Sequence, residues 1–247
     1  MASSNPVAMP GRSGLGWLAR FAALAALALT AACTPAPVQQ APSVAKAPPP
    51  PSFQDHLDRL NIDYTVPRTG KAILVNIPSF EVIAFEDGEP VLRSRAIVGS
   101  PRNQTPVMET HTSVVRFRPS WRPTPRMVAS GAYKDFRRPP GRNNPLGLAA
   151  IRLQPGMLIY LHSTNRPQLF SREARALSHG CVRVENWEAL VAWLLEIDAA
   201  EVQRHADGPG TFDMPAEPIR VTMGYFTIFP DAEGRPVTHN DIYRRER

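Results

Sequence analysis

Beyond residue 70, the hydrophobic residues fall mainly in short runs rich in β-branched side chains, a pattern typical of strands. The first two runs cover residues 72–77 and 80–85, and Asp87-Gly88 then predicts a two-residue hairpin turn. Further strands are predicted over residues 91–98, 113–118, 148–153, 157–162 and 219–229. The pattern therefore predicts a mainly β domain, built as a β-sandwich.

Helical periodicity is clear at one place. Asn186 is a candidate N-cap, and the apolar residues behind it are spaced as one helix face: Trp187, Leu190, Val191, Leu194 and Leu195. Two shorter helices are predicted, over residues 54–60 and 199–205. One main helix is thus expected to accompany the strands.

Residues 119–145 are rich in proline, arginine, glycine and asparagine and have no clear period. They predict a long loop, and loops of this length are usually functional or mobile.

The start of the chain has the pattern of a secretory signal. Residues 1–32 contain Arg12 and Arg20 but no acidic residue, then an apolar run over residues 21–29 and three small residues. The sequence therefore predicts an exported protein, with residues 1–32 as the signal peptide.

Cys33 follows these small residues directly, an arrangement that resembles a bacterial lipobox, in which the thiol receives diacylglycerol. Thr30 stands where an aliphatic residue is usual, so cleavage near Ala32 without lipidation is the alternative. Thr34 provides no aspartate-type inner-membrane retention signal. The expected location is the periplasm, with an outer-membrane anchor if Cys33 is lipidated.

After Cys33 the amino-acid composition of the chain changes. Residues 33–52 form a Pro/Ala-rich linker that has almost no large apolar side chain to bury. Residues 53–68 are assigned as a connecting segment, and residues 69–247 as the main folded domain.

Composition excludes several classes. The 247 residues carry a formal net charge of +6, and 25 of the 28 basic residues are arginine. Such an excess more often reflects a GC-rich genome than a nucleic-acid surface, and no nucleic-acid partner is expected. Two cysteines do not make a disulfide scaffold.

The chemistry-bearing stretch centres on Cys181, which follows Ser178, His179 and Gly180. A lone cysteine is often buried and inert, but a thiol nucleophile needs an imidazole to take its proton, and His162 and His179 are close in sequence. Gly180 would let the backbone approach a bound carbonyl, and the N–H groups of Gly180 and Cys181 could face an oxyanion.

His162 ends a predicted strand, and a hairpin-like return through residues 165–176 would place it beside Cys181. The backbone carbonyl of Ser163 is the simplest group to orient this imidazole. His179, two residues from Cys181, would share the cysteine's face in a strand. Zinc binding by His162, His179 and Cys181 is the competing use, but the three lack a zinc-site spacing and Arg183 would oppose a cation. No metal or cofactor is expected.

His162, followed by Ser-His-Gly-Cys-Val-Arg-Val at residues 178–184, resembles the signature of the L,D-transpeptidase catalytic domain, or YkuD domain. Further matching segments resemble the YcbB-type branch: residues 73–78, 97–99, 105–106, Trp121, 144–147 and 241–243. The resemblance covers roughly residues 69–243, so residues 69–247 are assigned as the catalytic domain.

The resemblance implies that Cys181 attacks the carbonyl before the terminal D-Ala of a peptidoglycan tetrapeptide, with His162 as base held by the Ser163 carbonyl. A thioester would then pass to a diaminopimelate amine, giving a 3–3 cross-link. Ser178, His179 and Arg183 would shape the pocket. A structural ion pair is the alternative for Arg183, and a core role is the alternative for Trp121 and Tyr160, which are candidate pocket residues.

The resemblance implies a short form without the scaffold and peptidoglycan-binding domains of larger relatives. The segment corresponding to a lid, residues 126–144, is short. The same nucleophile could serve an L,D-carboxypeptidase or a lipoprotein-to-peptidoglycan ligase. A non-catalytic wall-binding lipoprotein is the hypothesis from a different class. A monomer is expected.

Overall fold

A long mixed sheet organises the protein, seen here in a computed structural model that describes residues 50–131 and 133–245. The predicted signal peptide, Cys33 and the linker up to residue 49 lie outside the described residues. The described residues belong to one compact unit, Pro49–Arg247. Within them, none of the helices is both long and apolar enough to cross a membrane.

The strands in chain order are β1 (Lys71–Asn76), β2 (Glu81–Glu86), β3 (Glu89–Gly99), β4 (Met108–His111), β5 (Val114–Phe117), β6 (Ala149–Arg152), β7 (Tyr160–His162), β8 (Ala176–Ser178), β9 (Val182–Val184), β10 (Phe212–Pro215), β11 (Arg220–Gly224), β12 (Ile228–Pro230) and β13 (Pro236–Thr238). The helices are α1 (Phe53–Arg59), α2 (Pro125–Ala129), α3 (Trp187–Leu195) and α4 (Ala199–Asp207), with a 3-10 helix at Pro167–Ser171.

The main sheet has the order β10-β5-β6-β7-β9-β3-β2-β1-β11-β4, and β8 pairs with β3 off this path. Strand β3 joins the two halves, because its first part pairs with β2 and its later residues Ala96 and Ile97 pair with β9. The last residue of β3, Gly99, lies beside Ser178 of β8. The long strand therefore leads from the first hairpin to the segment that carries Cys181.

Residues from both halves of the curled sheet pack into one core with α3 and α4; Ile73, Val115, Leu161, Leu190 and Val202 are examples. This mixed sheet with few helices confirms the prediction of a mainly β domain.

A second core lies on the outer face of β1 and β2. Leu74 and Phe85 pack there with Phe53 and Leu57 of α1. Successive side chains of a strand point to opposite faces, so the two cores together explain why β1 and β2 are buried almost throughout.

The hairpin prediction holds at Asp87 and Gly88, whose φ angles of 50° and 91° are those a type I′ turn requires. The prediction of one strand over residues 219–229 is wrong. The side chain of Asn76 exchanges hydrogen bonds of 3.0 and 2.9 Å with the backbone of Phe226, and this ends the pairing of β1 with β11. The chain then restarts as β12.

Two other expectations need correction. Asn186 does precede α3, but its side chain makes no capping hydrogen bond; its backbone N–H donates to Ser94 instead. The strand predicted over residues 157–162 is formed only from Tyr160 onward.

Candidate active site

Two short neighbouring strands bring the predicted base and nucleophile together. β7 and β9 run parallel, with Leu161 beside Val182 and His162 beside Arg183. Cys181 directly precedes β9. The predicted hairpin-like return is therefore wrong: the connection through the 3-10 helix and β8 brings the chain back in the same direction. His162 and Cys181 still line one cavity, of about 60 Å³.

Six residues predicted from the sequence line this cavity: Trp121, His162, Ser178, His179, Cys181 and Arg183. Tyr160, also predicted to bind substrate, is not among its lining residues in the described chain. The Tyr160 ring instead lies under the Arg152 guanidinium, 5.8 Å from ring centroid to carbon.

The imidazole of His162 is almost fully buried, with 6% of the residue exposed. Its Nδ1 lies 2.5 Å from the backbone oxygen of Ser163. A carbonyl oxygen can only accept a hydrogen bond, so Nδ1 carries the proton and Nε2 is left as an acceptor. The expected orienting group is thus in place beside His162.

Burial lowers the pKa of His162 to about 4, and the positive charge of Arg183 acts in the same direction. Hydrogen bonds to the backbone of Ser163 and Leu146 oppose these effects but are weaker causes. At neutral pH the imidazole is therefore uncharged, which is the form that can accept a proton.

The side chain of Ser163 fixes the strand end on which His162 lies. Its Oγ accepts hydrogen bonds from Leu148 N (2.6 Å) and Ala149 N (3.1 Å) and donates to Leu146 O (3.2 Å). Gly147 makes this approach possible, because it has a φ of +67° and a Cβ there would lie 2.1 Å from Ser163 Oγ. Ser163 thus acts through both its backbone carbonyl and its hydroxyl.

The thiol of Cys181 donates a hydrogen bond to Leu158 O at 3.4 Å. Burial raises the pKa of Cys181, although a hydrogen bond from the Tyr160 backbone and the nearby Arg183 lower it. The resting pair is therefore a thiol and a neutral imidazole rather than an ion pair.

Ser178 closes the turn that carries the cysteine. Its Oγ accepts from Gly180 N at 3.0 Å and donates to Cys181 O at 2.5 Å. The Gly180 N–H is therefore occupied, which corrects the expectation that it faces an oxyanion. The Cys181 N–H remains as the candidate donor of that pair. Gly180, with φ of +114°, is needed for the backbone conformation of the turn. Since His179 lies in this turn rather than in a strand, the shared strand face expected for it is absent.

Arg183 is the main positive charge of the cavity. Its Nε is buried without a hydrogen-bond partner, and burial lowers its pKa, as does the charge of Arg166. Within the described ranges it takes part in no ion pair, so the structural alternative for this residue finds no support. An unpartnered guanidinium beside the thiol can accept an anionic group of a ligand.

The segment over residues 119–131 and 133–145, called the flap below, covers the cavity. Trp121 and Arg138 exchange backbone hydrogen bonds of 3.0 and 2.8 Å, and α2 follows the N-cap Thr124. The Trp121 ring meets Tyr133 edge-on at 5.5 Å, and Tyr133 meets His179 in the same way at 5.5 Å. The predicted long loop is thus closed by a single β-bridge and contains one short helix.

Four residues that line the cavity were not predicted as site residues: Met127, Tyr133, Pro145 and Leu146. Three belong to the flap, where no periodicity marks which side chains face inward. The family resemblance marked the segments that contain them, residues 126–144 and 144–147, but it did not identify these individual side chains.

Metal binding finds no support among residues 50–131 and 133–245, where no group of three His, Cys, Asp or Glu side chains is placed to hold an ion. What the site can do is thiol chemistry. A neutral imidazole, a thiol, a backbone amide and an unpaired cation are the groups that cysteine-dependent acyl transfer needs.

The family model of the L,D-transpeptidase catalytic domain, YkuD, matches residues 70–231, and the chain belongs to this family. A Haemophilus influenzae protein described as "Putative L,D-transpeptidase" is 27% identical over 224 residues, which cover 74% of this chain and 46% of the relative. The chain thus spans about half the length of that curated relative.

Among solved structures, an L,D-transpeptidase from Mycobacterium smegmatis is similar with a TM-score of 0.40 and 16% identity, covering 62% of this chain and 58% of that one. L,D-transpeptidase 3 from Mycobacterium tuberculosis is similar with a TM-score of 0.38 and 14% identity, covering 63% and 61% of the two chains.

Proposed function

We propose that this protein is a peptidoglycan L,D-transpeptidase that forms 3–3 cross-links through an acyl-enzyme on Cys181. The observation that carries the proposal is the shared cavity of the Cys181 thiol and the neutral His162 imidazole, whose Nδ1–H is held by the Ser163 carbonyl. Membership of the L,D-transpeptidase family supports the choice of substrate.

In the first step, Nε2 of His162 takes the thiol proton while Sγ attacks the carbonyl that precedes the terminal D-Ala of a tetrapeptide stem. The tetrahedral oxyanion lies against the Cys181 N–H. As the C–N bond breaks, the imidazolium gives its proton to the departing D-Ala amine. A thioester on Cys181 and a neutral His162 remain.

In the second step, the amine of a diaminopimelate side chain on another stem attacks the thioester. His162 takes the amine proton, and the C–S bond breaks as the proton passes to the sulfur. The products are a new amide bond and the free thiol. At neutral pH the imidazole of His162 is uncharged, so each step begins with the form that can accept a proton.

Substrate recognition is assigned to the cavity walls. Arg183 binds a carboxylate of the stem peptide, since its Nε has no hydrogen-bond partner among the described residues. Trp121 and His179 contact the peptide from the flap side and the turn side, respectively, and Ser178 holds the turn. The periplasm, with anchoring through a lipid on Cys33, is the proposed location.

The direct test is incubation of the protein with purified sacculi, followed by digestion and separation of the muropeptides. We expect new 3–3 dimers with the wild-type protein and none with Cys181→Ala. Shortened tripeptides without dimers would instead identify an L,D-carboxypeptidase. Wall fragments attached to a lipoprotein would identify a ligase.

Unchanged sacculi, together with retention of the protein on them, would favour the non-catalytic wall-binding alternative and overturn the proposal. Cys33→Ser tests the anchor separately: the variant should leave the membrane fraction, and unchanged fractionation would refute lipidation.

A further inference from the structure

Two sequence segments flagged by the family resemblance have no role in the mechanism above: Thr105-Pro106 and Asp241-Ile-Tyr243. The structure joins them. The Tyr243 hydroxyl donates to Gly99 O at 2.6 Å and accepts from Thr105 N at 3.1 Å. The Thr105 hydroxyl accepts from Gly99 N at 2.9 Å and donates to Gly180 O at 2.8 Å. The chain of hydrogen bonds therefore ends on the residue before the nucleophile.

This network is buried and fully paired. Thr105 has no exposed surface and Tyr243 is 7% exposed. The two hydroxyl groups, two backbone N–H groups and two carbonyls of the network satisfy one another. Hydrogen bonds in such surroundings hold their geometry tightly, because a lost partner leaves a buried polar group unsatisfied.

The end point of the network matters because of peptide geometry. The Gly180 carbonyl and the Cys181 N–H belong to one planar trans peptide unit, so they point in opposite directions. Fixing the Gly180 oxygen therefore fixes the direction of the Cys181 N–H. With the Gly180 N–H occupied by Ser178, this amide is the remaining candidate donor for the oxyanion.

We propose that Thr105 and Tyr243 are positioning residues that aim the Cys181 amide at the oxyanion, acting through the hydrogen bond from Thr105 to Gly180. The inference rests on the proposed acyl-transfer function. It adds two residues from outside the catalytic motif, and Tyr243 also lies outside the residues 70–231 that match the family model.

The surroundings hold both ends of the network in place. Tyr243 N donates to the Tyr225 hydroxyl at 2.8 Å, and that hydroxyl donates to Asp241 at 2.5 Å. At the other end, a Cβ on Gly99 would lie 2.2 Å from Asn103 O, so the loop that carries Thr105 packs directly against β3. Neither end can shift without breaking buried contacts.

The main test compares two reactions of Cys181 in Thr105→Val and Thr105→Ser. A carbapenem acylates the thiol through an oxyanion, whereas iodoacetamide alkylates it by displacement, with no oxyanion. For Thr105→Val, which misaligns the donor without removing it, we expect acylation to slow by about tenfold or more, up to the 10²–10³-fold that complete loss of an oxyanion donor costs. Alkylation should stay within about twofold, and Thr105→Ser should restore acylation.

Tyr243→Phe removes the other hydroxyl and should slow acylation in the same selective way. In the double variant with Thr105→Val, the two effects should not add, because Tyr243 acts through Thr105. Tyr64→Phe is the matched control: Tyr64 is 6% exposed but lies in the second core near α1. Its acylation rate should not change.

The inference fails if both Thr105→Val and Tyr243→Phe are acylated at the wild-type rate. It also fails if acylation and alkylation slow in parallel, which would indicate general damage to the fold. A variant that does not fold leaves the other to decide. Failure of the proposed function is separate: the wild-type protein itself would then not be acylated.

Discussion

The two walls of the cavity are stabilised in different ways. The floor, residues 160–163 and 178–183, is held by buried side chains that bond to the backbone; Ser163 and Ser178 are 1% and 3% exposed. Asn144, 1% exposed, ties the two ends of the flap together by donating hydrogen bonds to Pro119 O at 2.9 Å and Pro139 O at 3.0 Å. The middle of the flap is held by edge-on aromatic contacts and by an Arg122–Asp135 ion pair whose side chains are 67% and 48% exposed. Exposed ion pairs contribute little to stability.

This difference in stabilisation suggests different roles for the floor and the flap. Buried hydrogen bonds set the direction of reacting groups, which acyl transfer needs to within fractions of an ångström. The middle of the flap, which is held by more exposed contacts, can adjust to a ligand without disturbing these groups. Changes in the floor should therefore affect chemistry or folding strongly, and changes in the flap should affect substrate binding modestly.

The largest effect is expected for the base. His162→Ala should slow acylation of Cys181 by 10²–10⁴-fold, because the thiol loses its proton acceptor. The rate is measured by intact-protein mass spectrometry with a carbapenem. His179→Ala is the control and should retain most of the rate. The reverse ranking would make His179 the base.

Alanine substitutions at Gly147 and Gly131 compare how much the floor and the flap contribute to the free energy of unfolding. Both have positive φ, of +67° and +76°, but a Cβ on Gly147 meets Ser163 whereas one on Gly131 meets nothing within 4 Å. Gly147→Ala should lower the free energy of unfolding by about 2–5 kcal/mol, from strain and overpacking together.

Gly131→Ala should cost only about 1–2 kcal/mol, the strain alone. Denaturant unfolding measures both values. Equal losses would mean that the contact between Gly147 and Ser163 adds nothing to the floor.

The fall of the acylation rate at low pH tests whether burial lowers the pKa of the His162 imidazole. Because burial lowers the pKa of His162 to about 4, the imidazole stays neutral well below pH 6.5. Acylation should be constant from pH 6 to 8, halve near pH 4 and fall about tenfold per unit below that. A midpoint near 6.5 would mean a solvent-exposed base. His179→Gln should leave the profile unchanged.

Tyr133 should show the smallest effect, since it belongs to the flap. Tyr133→Leu removes the ring that meets Trp121 and His179, contacts worth about 0.5–1.5 kcal/mol per aromatic pair. We expect KM for a tetrapeptide donor to rise severalfold while kcat changes by less than about twofold. Asp135→Asn, on the exposed ion pair, should change neither. A large fall in kcat would place Tyr133 in the chemistry.

The sequence predicted the floor better than the flap, for physical reasons. His162 and Cys181 could be singled out from the residues themselves, because a thiol nucleophile needs a nearby imidazole and a glycine precedes the cysteine. Ser178 was named only through the family resemblance. Tyr133 and Met127 lie in a stretch without periodicity, and their inward orientation depends on contacts between distant residues such as Trp121 and Arg138.

The sequence also failed to predict part of the sheet topology. Local pattern did not distinguish a hairpin from the parallel pairing of β7 with β9, because the pairing is decided by β3 crossing between the two halves of the sheet. Local pattern also did not predict the hydrogen bonds that run from Tyr243 through Thr105 to Gly180, because these residues lie far apart in the chain.

The central claim is that Cys181 becomes covalently acylated with His162 as its base. The most direct measurement is to trap the protein with a tetrapeptide donor at low temperature, record the intact mass, and map the modified residue by proteolysis. We predict a mass gain equal to the donor minus D-Ala, located on Cys181 and absent from Cys181→Ser. A folded protein that releases D-Ala with no adduct on Cys181, or with the adduct on another residue, would contradict the account.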